Sequence, residues 1–285
     1  MNCRNLLGFG CYLLLGSAAA KPPIIDDFQI IRNFQSKSGE FAENESYPSL
    51  QTVQDGLKDP LGVPEISLVE SSPSSSLDSV FVVGSVYDCG KCDKWHPRGL
   101  ATAWVLASDG ILCTNYHVLA NFKGEIITVA SRKGEVYPVT EILLADKAND
   151  VAVFRVEATG LTPLAMAKEA AAVGEKVSCL SHPKQRFFHH SFGEVSRYHM
   201  RRSRRPRVAQ MSITADYAQG SSGGPILNQK NEVVGMVVST SSLYTEEKGT
   251  EKDGKLQMVV KSCVPAFAIQ ELLAKESKDE SASLR

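Results

Sequence analysis

The sequence has almost no excess of charge of either sign, since 31 Lys and Arg residues stand against 32 Asp and Glu residues. A net charge of −1 excludes a global preference for nucleic acid. Beyond residue 20 the chain also lacks an apolar segment long enough to span a bilayer. Its 43% hydrophobic and 22% charged residues instead suit a folded protein with one two-part domain of about 200 residues plus extensions.

The first twenty residues predict a secretory signal peptide. Arg4 supplies the positive start, an apolar stretch of eleven residues runs from Leu6 to Gly16, and Ala18-Ala19-Ala20 forms an A-x-A cleavage site before Lys21. A buried N-terminal helix is the alternative. We expect cleavage after Ala20 and export to the periplasm or the cell exterior, with no transmembrane anchor left in the mature protein.

Residues 21–77 differ in character from the rest of the mature chain, and we call them the leader. They begin with Pro22-Pro23, contain the apolar residues Ile24 to Phe34, and end in a Ser/Pro-rich stretch at 71–76. This composition predicts a loosely structured leader or pro-segment with a flexible linker at its end. Its apolar residues have the chemistry needed to dock on the next domain.

A glycine-rich string near the C-terminal end reads Gly220-Ser221-Ser222-Gly223-Gly224-Pro225. Its glycines let the backbone approach a substrate carbonyl, so that the amides of Gly220 and Ser222 can converge on one oxygen. The string therefore predicts an oxyanion hole beside a nucleophilic Ser222. Taken alone, it is also compatible with an ordinary Gly/Ser turn.

Two further residues complete a constellation for nucleophilic catalysis. His117 follows an apolar stretch, and Asp150 directly precedes a strand-like run. Each alone has a structural explanation, as a core histidine or a turn aspartate. The order His, Asp, Ser with separations of 33 and 72 residues predicts that His117 is the base, Asp150 its orienting partner and Ser222 the nucleophile.

At these motifs the chain resembles the trypsin-like, chymotrypsin-fold serine endopeptidases. The matching pieces are T-N-Y-H-V around His117, N-D-V-A-V around Asp150 and G-S-S-G-G-P around Ser222. The resemblance covers residues 78–276 and is nearest to bacterial secreted members, including the protease part of the high-temperature-requirement family, without a PDZ-like module after it. It implies hydrolysis of protein or peptide substrates through an acyl-enzyme, with no cofactor and no metal.

Twelve short runs rich in β-branched residues lie between residues 79 and 260, with turn signals between them. Their count and spacing predict an all-β fold of two six-stranded antiparallel barrels, the chymotrypsin-like arrangement. The first would span about 78–157 and the second about 173–262, followed by a helix at about 265–275 and a polar tail at 277–285. His117 and Asp150 would come from the first barrel and Ser222 from the second.

Substrate contacts are predicted at two places. In trypsin-like members a carboxylate six residues before the nucleophile lies at the floor of the S1 pocket, and Asp216 has that offset, which would favour Arg or Lys substrates. The alternative is that Asp216 caps its loop or pairs with a nearby cation. Val238-Ser239-Thr240 would pair with the substrate backbone as a β-strand.

The residue before the nucleophile is Ser221, where the activatable animal enzymes of the family carry an aspartate that pairs with a newly freed N-terminus. Activation by N-terminal insertion is therefore not expected. If removal of the leader regulates the protein, it would have to act by uncovering the cleft.

Five cysteines lie beyond the signal peptide, and an odd number leaves at least one thiol free. Cys89 and Cys92 have C-x-x-C spacing, with His96 nearby. Because the pair lacks the second half of a zinc site and the chain is expected to be exported, a Cys89–Cys92 disulfide is the prediction and zinc the alternative.

Six arginines lie between Arg197 and Arg207. They predict a solvated surface loop, with an anionic binding surface as the alternative. The rival to an enzyme is therefore a catalytically silent protease-fold protein that binds proteins or polyanions. The intact set of His117, Asp150 and Ser222 favours the enzyme.

Overall fold

Two closed β-barrels account for most of the computed structural model, which describes residues 24–66, 68–201, 206–245 and 254–283. The predicted signal peptide lies outside these residues. The first barrel contains β1 (Val80–Asp88), β2 (Trp95–Ala107), β3 (Ile111–Thr114), β4 (Ile126–Ala130), β5 (Val136–Asp146) and β6 (Val151–Val156). The second contains β7 (Lys176–Ser181), β8 (His189–Met200), β9 (Ala209–Ile213), β10 (Pro225–Leu227), β11 (Val233–Tyr244) and β12 (Leu256–Pro265).

Both barrels are antiparallel throughout. The strand order is β1-β2-β3-β6-β5-β4 in the first barrel and β10-β11-β12-β9-β8-β7 in the second. The prediction of two six-stranded antiparallel barrels is confirmed. Closure gives each strand a neighbour on both sides over part of its length, so short strands can still have most of their backbone groups paired.

Within the described residues, four α-helices accompany the barrels: α1 (Asp27–Ala42), α2 (Leu50–Gly56), α3 (Tyr116–Asn121) and α4 (Ala266–Ser283). The C-terminal helix α4 is longer than predicted and includes residues 277–283 of the expected polar tail. Those residues lack apolar positions, so they carry no periodic signal for a helix. None of the described helices is both long and apolar enough to cross a membrane.

The leader is helical where the sequence predicted loose structure. Asp26 caps α1 by accepting a hydrogen bond from the backbone of Gln29 at 2.9 Å, and Ser49 caps α2 in the same way. On α1, Ile30 and Phe34 are spaced by four residues and are both buried, whereas Phe28 is exposed. An apolar pair at this spacing lies on one helical face.

This apolar face packs against the barrels. Ile30 and Phe34 join the core that includes residues of both barrels, while Leu50 and Val53 of α2 join the core of the first barrel. The backbone of Leu50 also donates to the carbonyl of Glu125 at 2.7 Å. The leader is therefore part of the folded unit along residues 24–66.

Candidate active site

The position of Asp150 is set by the turn between β5 and β6. Asp146 accepts a hydrogen bond from the backbone of Asn149 at 2.6 Å, which closes the turn. Asp150 then takes a left-handed conformation with φ +62°, and β6 begins at the next residue. Asn115 donates its side-chain amide to the Asp150 carbonyl at 3.0 Å. This fixes the backbone of Asp150 next to the start of α3.

His117 lies in the first turn of α3 and uses both oxygens of the Asp150 carboxylate. Its backbone amide donates to Oδ1 at 2.8 Å, and its ring Nδ1 donates to Oδ2 at 2.7 Å. Asp150 is mostly buried, while His117 is partly open to the cleft. Because Nδ1 carries the donated proton, the lone pair of Nε2 is left to face Ser222.

Ser222 reaches His117 from the second barrel. Its Oγ lies 3.2 Å from His117 Nε2 and 3.4 Å from the Val238 carbonyl. The next residue, Gly223, has φ +83°, and a Cβ there would lie 2.1 Å from the Thr102 carbonyl oxygen. The loop of residues 220–224, which we call the Ser222 loop, therefore needs glycine at this position in order to approach the first barrel.

The backbone amides of Gly220 and Ser222, which the sequence predicts to form an oxyanion hole, have no protein partner within the described residues, since neither donates a hydrogen bond to a protein acceptor there. The Gln219 carbonyl accepts from the Lys184 backbone amide at 2.7 Å. In a planar trans peptide the C=O and the following N–H point in opposite directions, so this bond turns the Gly220 N–H away from Lys184 and leaves it available for a ligand.

Ser221 is fully buried and bonded to a neutral group. Its Oγ accepts a hydrogen bond from Ser181 Oγ at 2.9 Å. Its backbone amide donates to the Ala218 carbonyl at 2.9 Å. These neutral contacts hold the loop without a buried charge at this position.

Thr102 on β2 joins the two halves of the site. Its backbone amide donates to the Ser222 carbonyl at 3.0 Å, and its hydroxyl donates to the Gly220 carbonyl at 2.9 Å. The same hydroxyl accepts from the His182 amide at 3.3 Å, and the Thr102 carbonyl accepts from Thr114 Oγ1 at 2.7 Å. Thr102 of the first barrel thus holds the Ser222 loop of the second barrel in place.

Gln54 on α2 of the leader caps the helix that carries His117. The two hydrogens of its side-chain Nε2 are shared among the carbonyls of Leu119 at 2.9 Å, Ala120 at 3.2 Å and Phe122 at 3.0 Å. The last carbonyls of a helix have no partner within the helix. Gln54 therefore completes the end of the short helix α3 and holds it in place.

The leader also contacts the loop of residues 182–188, whose Lys184 amide binds the Gln219 carbonyl. Asp27 of α1 accepts a hydrogen bond from the backbone of Phe187 at 3.0 Å. Burial lowers the pKa of His182, at the start of this loop, to about 3. The ring is therefore neutral, and its Nδ1 accepts from the Phe188 amide at 3.0 Å. Lys184, whose amide binds the Gln219 carbonyl, lies between His182 and Phe187, the residues that make these two contacts.

The structure does not place Asp216 at the floor of a pocket. Its side chain is 87% exposed, and its carboxylate pairs with Lys261 Nζ at 2.7 Å. Its neighbour Tyr217 is buried instead, and its hydroxyl hydrogen is shared between the carbonyls of Ser239 at 3.0 Å and Ser262 at 2.9 Å. The expectation of a buried acidic pocket is corrected accordingly.

Strand β11 contains Val238, Ser239 and Thr240, and the first of them lies next to Ser222. Ser239 and Thr240 pair with β12 along one edge of the strand. On the other edge, pairing with β10 ends at Met236, and Val237 then bonds to the Ser222 loop through the backbones of Gly223 and Gly224. Within the described residues, no strand pairs with that edge from Val238 onward. It is available to an extended peptide.

An open cleft of about 630 Å³ lies beside His117 and Asp150. Its lining consists of Tyr116, His117, Ala120, Asn121, Lys147, Asp150, Arg201, Gln210, Val238 and Ser239. Arg201 comes from the arginine-rich segment, of which residues 202–205 lie outside the described ranges. Among the described residues of the leader, none lines this cleft.

The predicted disulfide is not formed in the structure. Cys89 Sγ and Cys92 Sγ lie 3.5 Å apart as free thiols, well beyond the bonded distance of about 2.05 Å. Cys92 Sγ instead lies 3.2 Å from His96 Nε2. The other three cysteines are buried, free and far less able to ionise, since burial raises their pKa values.

Thr102, Gln54 and Lys184 were not predicted from the sequence. Thr102 lies within an ordinary strand pattern, and Gln54 lies on the polar side of a short helix. Lys184 acts through its backbone amide, which every residue except proline possesses. Only the three-dimensional arrangement reveals these contacts, because each joins segments at least 35 residues apart.

Residues 101–236 match the family model of the trypsin-like peptidase domain. The chain is 32% identical over 155 residues to a probable periplasmic serine endoprotease DegP-like of Ectopseudomonas mendocina (strain ymp), a match that covers 53% of this chain and 31% of that protein. It is 26% identical over 197 residues to the anti-sigma-I factor RsgI9 of Acetivibrio thermocellus, which covers 68% of this chain and 25% of that protein.

The chain thus spans a third or less of the length of these curated relatives. Among solved structures, it is similar to the active form of the Rv3671c protease of M. tuberculosis, with a TM-score of 0.54 and 23% identity. That match covers 75% of this chain and 90% of the solved one. It shows that the two share the two-barrel fold.

Gln54→Glu tests whether the leader positions His117, because it keeps the shape of the side chain but places a carboxylate against three carbonyl oxygens. We expect a fluorophosphonate reagent to label Ser222 at least about tenfold more slowly, since α3 loses its cap and His117 its fixed orientation. Gln51→Glu, on the exposed side of α2, is the matched control and should label at the wild-type rate.

Turnover of a peptide substrate distinguishes positioning from a general loss of structure. In folded Gln54→Glu protein the rate at saturation should fall, while KM stays within about twofold of the wild-type value. An unchanged labelling rate in that variant would contradict the positioning role.

Proposed function

The chain contains a trypsin-like peptidase domain, and on that basis we propose that it is a serine endopeptidase whose catalytic residues are His117, Asp150 and Ser222. The observation that carries the proposal is the line of hydrogen bonds from Asp150 Oδ2 to His117 Nδ1, at 2.7 Å, and from His117 Nε2 to Ser222 Oγ, at 3.2 Å. Both distances are within the reach that proton transfer requires.

The reaction follows from this geometry. His117 Nε2 takes the proton of Ser222 Oγ as the oxygen bonds to the carbonyl carbon of the scissile peptide. The imidazolium then gives that proton to the leaving amine as the C–N bond breaks, and the acyl group remains on Ser222. Water, deprotonated by the same histidine, hydrolyses the ester. Asp150 stabilises the imidazolium throughout without accepting its proton.

The amides of Gly220 and Ser222 would receive the negative charge on the carbonyl oxygen. Loss of one such donor in comparable enzymes lowers the rate by about 100-fold to 1000-fold. The bond from Lys184 to the Gln219 carbonyl supports this role, because it holds the Gly220 amide in one orientation before substrate binds. Donors fixed in advance need no reorganisation during the reaction.

In this proposal the leader holds the active-site elements in position, and it does not cover the cleft as an inhibitory segment would. Gln54 supports the helix of His117, and Asp27 supports the loop that orients the Gly220 amide. Removal of the leader would therefore lower activity. The sequence-based suggestion that removal would uncover the cleft has no support in the described contacts, because residues 24–66 do not line it.

The unpaired edge of β11 at Val238–Thr240 would receive the substrate as an added strand. Beside it, the buried Tyr217 bonds through its hydroxyl to the carbonyls of Ser239 on β11 and Ser262 on β12. Asp216 faces solvent with its charge already paired. The pocket would therefore accept small or apolar side chains on the acyl side of the scissile bond, within unfolded or extended protein segments.

Export is proposed from the signal-peptide pattern, and a relative named as periplasmic supports it. Material recovered from outside the cytoplasm should begin at Lys21, because the A-x-A site directly follows the apolar stretch. N-terminal sequencing of this material identifies the first residue of the exported chain. Exported chains that still begin at Met1 would exclude cleavage after Ala20.

Ser222→Ala should abolish fluorophosphonate labelling and peptide hydrolysis while the far-UV and near-UV circular dichroism stay unchanged. We expect His117→Ala to lower the rate by about a millionfold, and Asp150→Asn by about ten-thousandfold because the imidazole tautomer is no longer fixed. Ser241→Ala, at an exposed serine on β11, is the control. Wild-type protein that is folded but neither labels nor hydrolyses peptides would leave the silent protease-fold protein as the better description.

A peptide library should show preference for Ala, Val or Leu over Arg and Lys on the acyl side of the cleaved bond. Asp216→Ser should change the ratio of apolar to basic cleavage by less than about threefold, because the carboxylate is solvated and outside the pocket. A basic preference that disappears in Asp216→Ser would overturn this assignment and restore the acidic pocket.

A further inference from the structure

The turn between β1 and β2 and the start of β2 carry three side chains suited to metal binding, outside the cleft beside His117. They are Cys89, Cys92 and His96, and their ligand atoms all lie within 4.8 Å of one another. No other group of three or more such side chains with this spacing occurs within the described residues. None of the three lines the cleft that contains His117.

The distances match a metal site better than a disulfide. Tetrahedral zinc, with Zn–S of about 2.3 Å and Zn–N of about 2.0 Å, holds its ligand atoms about 3.5–3.8 Å from one another. Here the two sulfurs lie 3.5 Å apart, and Cys92 Sγ lies 3.2 Å from His96 Nε2. Small side-chain rotations would bring all three atoms to the required separation.

The backbone of the turn is preformed. Gly90 takes φ +64°, and its amide donates to Asp88 Oδ1 at 2.8 Å, which turns the chain between the two cysteines.

The third ligand is brought close by strand pairing. His96 lies opposite Tyr87 in the β1–β2 register, and the two rings are 5.5 Å apart. Next to it, Trp95 Nε1 donates to Glu43 at the end of α1 at 3.0 Å, and the Trp95 carbonyl accepts from Gln35. The strand that carries His96 is thus held against the leader.

We propose that Cys89, Cys92 and His96 bind one zinc ion, with the fourth coordination position open to water or an external ligand. Two thiolates and one imidazole form a donor set that suits Zn²⁺ and disfavours the hard ions Ca²⁺ and Mg²⁺. Bound zinc would fix the exposed turn of the β1–β2 hairpin relative to β2, which is held against α1 of the leader. The site is independent of the proposed peptidase chemistry.

Titration with Co²⁺ tests the site in the full chain, purified with a phosphine reductant and without chelator. We expect thiolate-to-cobalt charge-transfer absorption that saturates at one ion per chain and disappears when Zn²⁺ is added. Cys92→Ser and His96→Gln should each weaken binding by more than about tenfold, since even outer-shell changes cost that much. His189→Gln, at an exposed histidine on β8, should bind as the wild type does.

Three outcomes would overturn the proposal: reduced protein with no cobalt–thiolate band, binding that is unchanged in Cys92→Ser, or exported protein in which Cys89 and Cys92 are joined as a disulfide. Mass spectrometry of alkylated protein distinguishes the last case, because a disulfide leaves both cysteines unmodified. Activity of Ser222 plays no part in these readouts, so failure of the peptidase assignment would leave them unaffected.

Discussion

The contact of Thr102 with the Ser222 loop is the constraint on which the candidate site depends. His117 and Ser222 come from different barrels, so the 3.2 Å separation of His117 Nε2 and Ser222 Oγ requires a fixed relation between two independently closed sheets. Thr102 supplies it through its amide to the Ser222 carbonyl and its hydroxyl to the Gly220 carbonyl. Gly223 permits it, because any side chain there would collide with the Thr102 carbonyl.

The leader also helps to fix the site, through contacts with an element of each barrel. The three carbonyls capped by Gln54 belong to the end of the helix that presents His117. At the other barrel, the contact of Asp27 with Phe187 reaches the loop whose Lys184 amide holds Gln219. A segment that the sequence describes as a separable leader therefore contacts both the helix that carries His117 and the loop that contains Lys184. Its buried Ile30 and Phe34 tie it to the same core.

Much of this architecture could be predicted from the sequence, because its signals are local. Alternating β-branched runs and turn residues gave the two barrels, and the motifs around His117, Asp150 and Ser222 gave the residues that meet in the cleft. The direction of the Asp216 side chain could not be predicted, because it depends on Lys261, a residue 45 positions away on β12. The helices of the leader were missed because proline and serine clusters at its ends dominated the composition.

The most direct test of the account is a crystal structure of the chain after reaction with a fluorophosphonate. The account predicts phosphorus bonded to Ser222 Oγ, with the phosphonyl oxygen about 3 Å from the amide nitrogens of both Gly220 and Ser222. The Gln219 carbonyl should remain on the Lys184 amide, as it is without ligand. Phosphorus attached elsewhere, or a Gln219 carbonyl that points at the phosphonyl oxygen in place of the Gly220 amide, would contradict it.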